Sequence, residues 1–584
     1  MRRLTSRWTA LTAALAAAGL LAAACSSSNS SSPSAKSSGA SGGSASTLTI
    51  SDEGGTTWPC DFNPFNSNNI AWSFGPVYEP LIFVNNLAAN PLAPGATTPW
   101  LATAYKWNSS NTQLTFTIRQ GVKWSNGTPM TPADVVFTFD MLKKYKPLDL
   151  QSLWTNAGGP LTNVVANGND VVMTMNKPSP LFLYNIGDQV AIVPQAIWSK
   201  IANPVTYTDK NPVGTGAYTM KSCTSANMQY VANPHYYQPG LPKIKTVNYP
   251  SYLTNPPANA DLASGADQWG SQYIPDIQSA YLNKSSDYHT YSPPIASVSL
   301  IINLGLGSSS PLSNVLVRQA MAYAIDRAKA AQIGEGGQEP PSNQTGIITT
   351  ANKGPYGTAY DTAQAAQYGN AYAYNPAKAK SLLEQAGYTK VVGGVRENSA
   401  GQKLSFSIVN NAGFSDWIAT LQNVIIPNLA AVGIQTHLND LSQTSFQSAL
   451  YTGKFQLGYN DQPGGPGAFY EFRQWLFSGN TAPIGQLAST NFERYSNKNT
   501  DALINQYETT PTSDTAKQTS ILNQLQGVFL KEVPVVPITG EVDWYQWSTK
   551  SFTGWPVPPH WYAQPAQYQY PDWGQVLLHL APKG

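Results

Sequence analysis

The sequence predicts an α/β protein built from several lobes. Two observations lead there. Strand-like and helix-like segments are intermixed along the whole chain, which favours α/β lobes over an all-β or all-α body. Removing the leader described below from the 584 residues leaves 560, too many for one compact core and suited to two to four lobes.

The elements follow in order. Leu48 opens a strand with the triplet LTI. Leu114, Phe116 and Ile118 alternate with polar residues, the pattern of a half-buried strand. Val122 and Trp124 are expected to form a second strand, with Asn126-Gly127 as a tight turn. Thr131 then reads as a helix N-cap, with Pro132 in the first turn and Asp134 three residues past the cap. NPVGTGAY (211–218) is a Gly-punctuated turn entering a further strand. Val317, Ala320, Met321, Ala324 and Ile325 share one helical face. A second helix starts at Asn375-Pro376 and stops at Gly387.

The first 47 residues indicate a location. Arg2, Arg3 and Arg7 precede an apolar run from Trp8 to Leu21, and Ala22–Ala24 lead into Cys25. This is the layout of a secretory signal over 1–24. The small residues before Cys25 resemble a bacterial lipobox, with Ala22 where Leu is usual and Leu21 one position further out. The resemblance implies that Cys25 carries a lipid and becomes the mature N-terminus, on the extracytoplasmic face of the cell membrane. The alternative is an ordinary secreted protein with an incidental Cys. Residues 25–47 are Ser- and Gly-rich and are expected to form a disordered tether. A coil of that length reaches roughly 25 Å.

Charged residues make up only 11% of the chain, against about 25% in an average domain. The formal charge of +2 falls to −1 once the three leader arginines are removed. No basic face for nucleic acid is indicated. Five scattered His, without HExxH or CxxC spacing, give no metal site, and no cofactor motif is present. Cys60 and Cys223 remain after Cys25, an even pair in an oxidising compartment, so a disulfide is expected, with two unpaired buried thiols as the alternative. In the loop-entropy picture such a bridge adds roughly 4–5 kcal/mol.

Eight segments resemble, in order, the family 5 extracellular solute-binding proteins of ABC transporters, which include dipeptide- and oligopeptide-binding proteins and some nickel- and oligosaccharide-binding relatives. The segments are VYEPLI (77–82), TFTIRQGVKWSNGTPMTPADVVFTF (115–139), NPVGTGAY (211–218) and HYYQPGLPKIKTV (235–247). SGAD (264–267), PLSNVLVRQAMAYAIDR (311–327), YNPAKAKSLLEQAGY (374–388) and VPVVPI (533–538) complete the set. The resemblance spans about residues 48–560. It implies a periplasmic-binding-protein-like fold with two ligand-gripping lobes, a hinge and an additional small lobe. The first lobe would be discontinuous (48–75, 178–295 and 541–584), the additional lobe would span 76–177, and the second lobe 296–540. Cys60 and Cys223 then fall in one lobe.

The resemblance further implies a non-enzymatic receptor that captures a peptide or other small solute between its lobes and delivers it to membrane permease subunits. Peptide-binding relatives place an Asp of the second lobe on the peptide α-ammonium, shortly after an aromatic residue. In GYNDQPGGPGAFYEF (458–472) an ungapped match puts Tyr459 on the aromatic and Gln462 on the Asp, with Asp461 one residue early. Asp461 in the cleft suits a free-amine peptide; Gln462 there suits a neutral ligand such as an oligosaccharide. Gln443 matches another cleft position. The first-lobe loop FNSNNIAW (65–72) contributes Asn66 and Asn68, whose backbone would meet the ligand, and Trp72 as a stacking wall or a core residue. A rival class, a secreted carbohydrate-active hydrolase, needs two carboxylates at a defined separation. No family motif for such a pair appears, and no strand–GxSxG–helix arrangement marks a Ser hydrolase. No catalytic residue is assigned.

Overall fold

Local chemistry places most elements where the sequence puts them. In this computed structural model, residues 46–52, 57–88, 91–92, 95–346, 361–463, 465–511 and 514–584 are described, without the side chains of Asp52, Gln462 and Pro463. Cys25, the leader and nearly all of the tether lie outside the described residues. The Thr131 N–H donates to Asp134 Oδ2 at 2.8 Å, closing the capping box of helix Pro132–Lys144. Asn375 caps helix Pro376–Gln385 by accepting from the Lys378 N–H, and Gly387 follows at φ +89°.

Two local expectations are corrected. Val122–Trp124 does not form a strand: only Lys123 bridges Pro129. The Trp124 N–H goes to the Thr128 carbonyl and the Gly127 N–H to the Trp124 carbonyl, so the turn consumes the backbone groups a ladder would use. Helix Val315–Ala324 buries Val317, Ala320, Met321 and Ala324, but Ile325 lies just past it with extended ψ of 123°. Asp326, which caps the next helix (Arg327–Ile333), forces that break.

Three sheets organise the described residues. A seven-stranded sheet runs Tyr288–Thr290, Gln546–Ser548, Trp269–Ser271, Thr47–Asp52, Thr246–Pro250, Asn227–Ala232 and Tyr218–Thr224. Its central strand, Thr47–Asp52, is parallel to both neighbours. A five-stranded sheet runs Gln435–Leu441, Ser405–Asn411, Leu457–Pro463, Ala296–Ile302 and Val535–Thr539. Its first three strands are parallel, and Ala296–Ile302 is antiparallel to both its neighbours. A four-stranded antiparallel sheet uses Ala102–Trp107, Gln113–Ile118, Asp170–Met175 and Leu161–Asn167. Below, each sheet with its flanking helices is called a region.

Close packing explains the glycine signature at 211–218. A side chain at Gly214 would stand 1.8 Å from the Val77 carbonyl oxygen, and one at Gly216 would meet Pro76 O at 2.2 Å. Cys60 and Cys223 are bonded sulfur to sulfur, tying the loop after Thr47–Asp52 to an edge strand of the seven-stranded sheet. Among the described residues, no helix is long and apolar enough to cross a membrane.

Among the described residues, two groups of side-chain hydrogen bonds join the five-stranded region to the rest of the body. Lys177 Nζ donates to Glu508 Oε2 at 3.0 Å, Arg473 Nε holds the other Glu508 oxygen at 2.8 Å, and the Tyr470 hydroxyl donates to the Leu181 carbonyl. At the second place, Gln338 donates to the Ile274 carbonyl of the seven-stranded region. The second contact leads to the candidate site.

Candidate functional site

Strand Leu457–Pro463 lies inside the five-stranded sheet, with Tyr459 opposite Leu300 and Asp461 opposite Val298. Alternation along a strand puts Tyr459 and Asp461 on one face. Tyr459 is fully buried, its ring edge-on to Trp417 at 5.5 Å. Asp461 is partly buried. Loss of water raises its carboxyl to about 6. Gln462 pairs with Ser297 in the backbone ladder, and its side chain lies outside the described residues.

Three further carboxylates converge on this face. Glu335 and Glu339 sit in the loop that follows helix Arg327–Ile333, and Asp416 stands in the first turn of helix Ser415–Thr420. Glu335 accepts from the Thr420 hydroxyl at 2.7 Å and stands beside Asp416. Gly334 makes this approach possible, since a Cβ there would lie 1.7 Å from Thr420 Oγ1. Glu335, Glu339 and Asp416 all act on the Tyr459 phenol, and Glu339 also feels Asp461. The seven-stranded region contributes Tyr273, which faces Glu335, Asp416 and Glu339 and packs edge-on to Trp544 at 5.6 Å.

The electrostatics are one-sided. Asp416 is raised to about 6 and Glu339 well above its ordinary value, both chiefly by burial. Among the described residues, no Lys, Arg or His pairs with Glu339, Asp416 or Asp461. Thr539 stands beside both Tyr459 and Glu339 but is bonded in good geometry to neither. A buried carboxylate is stable as an anion only when a counter-charge reaches it. The described residues include no His, Cys, Asp and Glu group arranged to hold a metal ion.

The other sequence-derived candidates make no hydrogen bond or ring contact with Asp461 among the described residues. Gln443, at the start of helix Gln443–Thr452, accepts from the Asn411 amide at the end of a neighbouring strand. Asn66 donates to Asp61 Oδ2 at 2.8 Å, and its own side-chain oxygen takes the Asn68 N–H. These bonds hold the 61–69 loop in shape. Trp72 is partly buried, edge-on to Trp58 at 4.7 Å and to Tyr249 at 5.8 Å. No hydrogen bond or ring contact among the described residues joins Asn66, Asn68 or Trp72 to Asp461.

Residues 96–483 match the family model for the bacterial extracellular solute-binding proteins, family 5. The chain belongs to that family. It is 26% identical over 465 residues to the glutathione-binding protein GsiB of Shigella dysenteriae serotype 1, covering 76% of this chain and 80% of that protein. GsiB of Escherichia coli O157:H7 matches to the same extent. Among solved structures, the mannohexaose-bound periplasmic oligopeptide-binding protein of Thermotoga maritima superposes with a TM-score of 0.81 at 25% identity, covering 92% of this chain and 99% of that one. Bacillus subtilis AppA, solved with a nonapeptide, shares the fold with a TM-score of 0.74 at 18% identity, over 93% of this chain and 99% of that one.

Proposed function

We propose that this protein is the extracytoplasmic receptor of an ABC importer, held to the membrane by a lipid on Cys25, and that it captures free-amine peptides and presents them to the permease. The carrying observation is Asp461: a half-buried carboxylate near the end of a sheet strand, with no cationic partner among the described residues. A peptide α-ammonium is the counter-charge such a group requires. The glutathione-binding and nonapeptide-bound relatives support a peptidic ligand. We place the gripping lobes at 48–75 with 178–295 and 541–584, and at 296–540. The chain then crosses between them near residues 295 and 540, and closure about those crossings would bury the ligand.

A second reading, a neutral oligosaccharide, is favoured by the mannohexaose in the Thermotoga maritima structure. Calorimetry with di- to hexapeptides, glutathione and mannohexaose separates the two. Free-amine peptides are expected to bind and to lose binding on N-acetylation. Asp461→Asn should cost roughly 3–5 kcal/mol of that affinity, mainly from the ammonium left unpaired. Heat with mannohexaose and none with any peptide would overturn the peptide reading.

A further inference from the structure

One set of contacts ties the five-stranded region to the segment in which the chain leaves the four-stranded sheet. Lys177, just past strand Asp170–Met175, donates to Glu508 Oε2 at 3.0 Å and to Asn505 Oδ1 at 2.8 Å. Both acceptors stand on helix Lys498–Thr509. On the neighbouring helix, Ala468–Leu476, the Tyr470 hydroxyl donates to the Leu181 carbonyl at 2.8 Å, and its ring meets Tyr184 edge-on at 5.4 Å. The Arg473 guanidinium lies 5.6 Å from the centre of the Phe182 ring. In the lobe arrangement proposed above, each of these contacts passes between the second lobe and residues 177–184, where the additional lobe joins the first.

The chemistry suits a contact that parts. Glu508, 3% exposed, is also held from its own side by Arg473 Nε at 2.8 Å, so losing Lys177 does not leave it unpaired. Lys177 is 30% exposed, and its ammonium can turn to water on its flexible stem. The Tyr470 hydroxyl and the Leu181 carbonyl exchange their mutual bond for bonds to water, a small net change. Polar contacts between lobes separate far more readily than large apolar ones. The rings of Phe182, Tyr184 and Tyr470 are buried here, and opening returns part of that apolar surface to water, which favours the closed form.

We infer that Lys177, Tyr470 and Glu508, with Arg473 holding Glu508 in place, form a latch that is made when the lobes close and released when they open. It sets how long a bound ligand is held. This rests on the two-lobe reading given above and not on the class of ligand. Helix Ala468–Leu476 starts just after strand Leu457–Pro463, which carries Asp461, so the latch and the candidate ligand strand belong to one continuous segment. A ligand enclosed between lobes leaves only from the open form, so its release rate follows how often the latch parts.

The test compares the purified protein with its Lys177→Met and Tyr470→Phe variants. Release of a bound probe, Ala-Ala-Ala or mannohexaose, is timed by stopped-flow dilution, and small-angle scattering gives the radius of gyration without ligand. Lys177→Met is expected to speed release roughly ten-fold, the effect of one charged hydrogen bond discounted for partial exposure. Tyr470→Phe, which removes a neutral bond, should speed it roughly five-fold. A change in one variant alone keeps the latch and drops the other residue from it. Release unchanged in both variants would overturn the inference, whether or not the unfolding midpoint falls, because the contact would then be a fixed brace. Binding of mannohexaose and not of Ala-Ala-Ala would overturn the peptide reading, and release of the sugar would still test the latch. If neither probe binds, the unliganded radius decides: expansion in the variants supports the latch, and an unchanged radius overturns it.

Discussion

Buried carboxylates occur in two different settings in this molecule. In and around the seven-stranded region they are surrounded by donors. Glu79 accepts from the Trp100 indole N–H and the Thr215 hydroxyl, Asp209 from the Tyr78 and Tyr207 hydroxyls, and Asp188 from the Val84 N–H and the Gln189 amide. Burial still pushes Glu79 up to about 8 and Asp188 to about 7, yet each has its hydrogen bonds. At the wall of the five-stranded region, Glu339 has no cation, and the Thr539 hydroxyl and the Val542 N–H stand beside it without well-formed hydrogen bonds. The first group is architecture: the acids hold loops and strands by neutral bonds. The second is incomplete by itself, as a binding surface is before its ligand arrives. Glu471, buried with neither oxygen bonded, resembles the second group, and nothing in the structure explains it.

Removing an architectural acid should have the largest effect. Glu79→Ala strands the Trp100 indole and the Thr215 hydroxyl in the interior and leaves a cavity. The expected loss is about 3–4 kcal/mol of unfolding free energy, read by chemical denaturation. Because Glu79 is held largely protonated at neutral pH, Glu79→Gln should cost less than about 1 kcal/mol. If Glu79→Ala cost no more than Glu79→Gln, the donors around it would not be structural.

The opposite sign is expected at the wall. Asp416 is forced to ionise in a buried site at neutral pH, so Asp416→Asn should leave the unliganded protein as stable or more stable, by on the order of 1 kcal/mol at pH 7.5. The gain should shrink as pH falls below 6 and vanish at about pH 2.5, where the acid is protonated in both the folded and the unfolded chain. A loss of stability at pH 7.5 would place Asp416 with the architectural group.

What the sequence reveals cuts across this division. Glu79, Asp209 and Asp188 bond across 136, 131 and 104 positions, but caps and turns depend on neighbours close in the chain: Thr131 with Asp134, Asn375 with Lys378, and Asp61 with Asn66 and Asn69. Such pairs are legible from spacing and side-chain chemistry. Tyr459 and Asp461 were singled out through the family pattern alone, in a stretch whose Gly and Pro suggested a loop where the structure has strand Leu457–Pro463. Glu335, Glu339 and Asp416 were not. They come from a Gly-rich loop and from a helix start far along the chain, and the packing of Thr420 against Gly334 and Glu335 helps bring them together. The one sequence signal is two Glu in the short run GEGGQEP (334–340), in a chain otherwise poor in charge. Val122–Trp124 failed for a different reason. Alternation suggested a strand, but the turn closing on Trp124 took the backbone bonds.

The smallest effect, and the sharpest separation of the two settings, comes from pH. Asp416 and Asp461 both rise from 3.8 to about 6 in the folded protein. Between those values the folded chain binds more protons than the unfolded one, so these groups make the unliganded protein less stable as pH rises through the window, with no further change above it. Glu79, Asp188 and Asp543 shift the same way, to about 8, 7 and 7, so the stability profile alone does not distinguish wall from architecture. Ligand affinity does, because only the wall would face the ligand. The titratable groups that act with Asp461 and Asp416 are Glu335, Glu339, Tyr459, Tyr273 and Tyr451, all acidic or neutral. A cationic peptide therefore competes with protons there, and its affinity should fall on going from pH 7 to pH 5, by roughly ten-fold for each carboxylate it engages. Asp461→Asn should flatten that dependence, whereas Glu79→Gln should leave it unchanged. An affinity that holds steady down to pH 5 would mean that the ligand neutralises neither carboxylate, and the comparison between the two settings would lose its functional meaning.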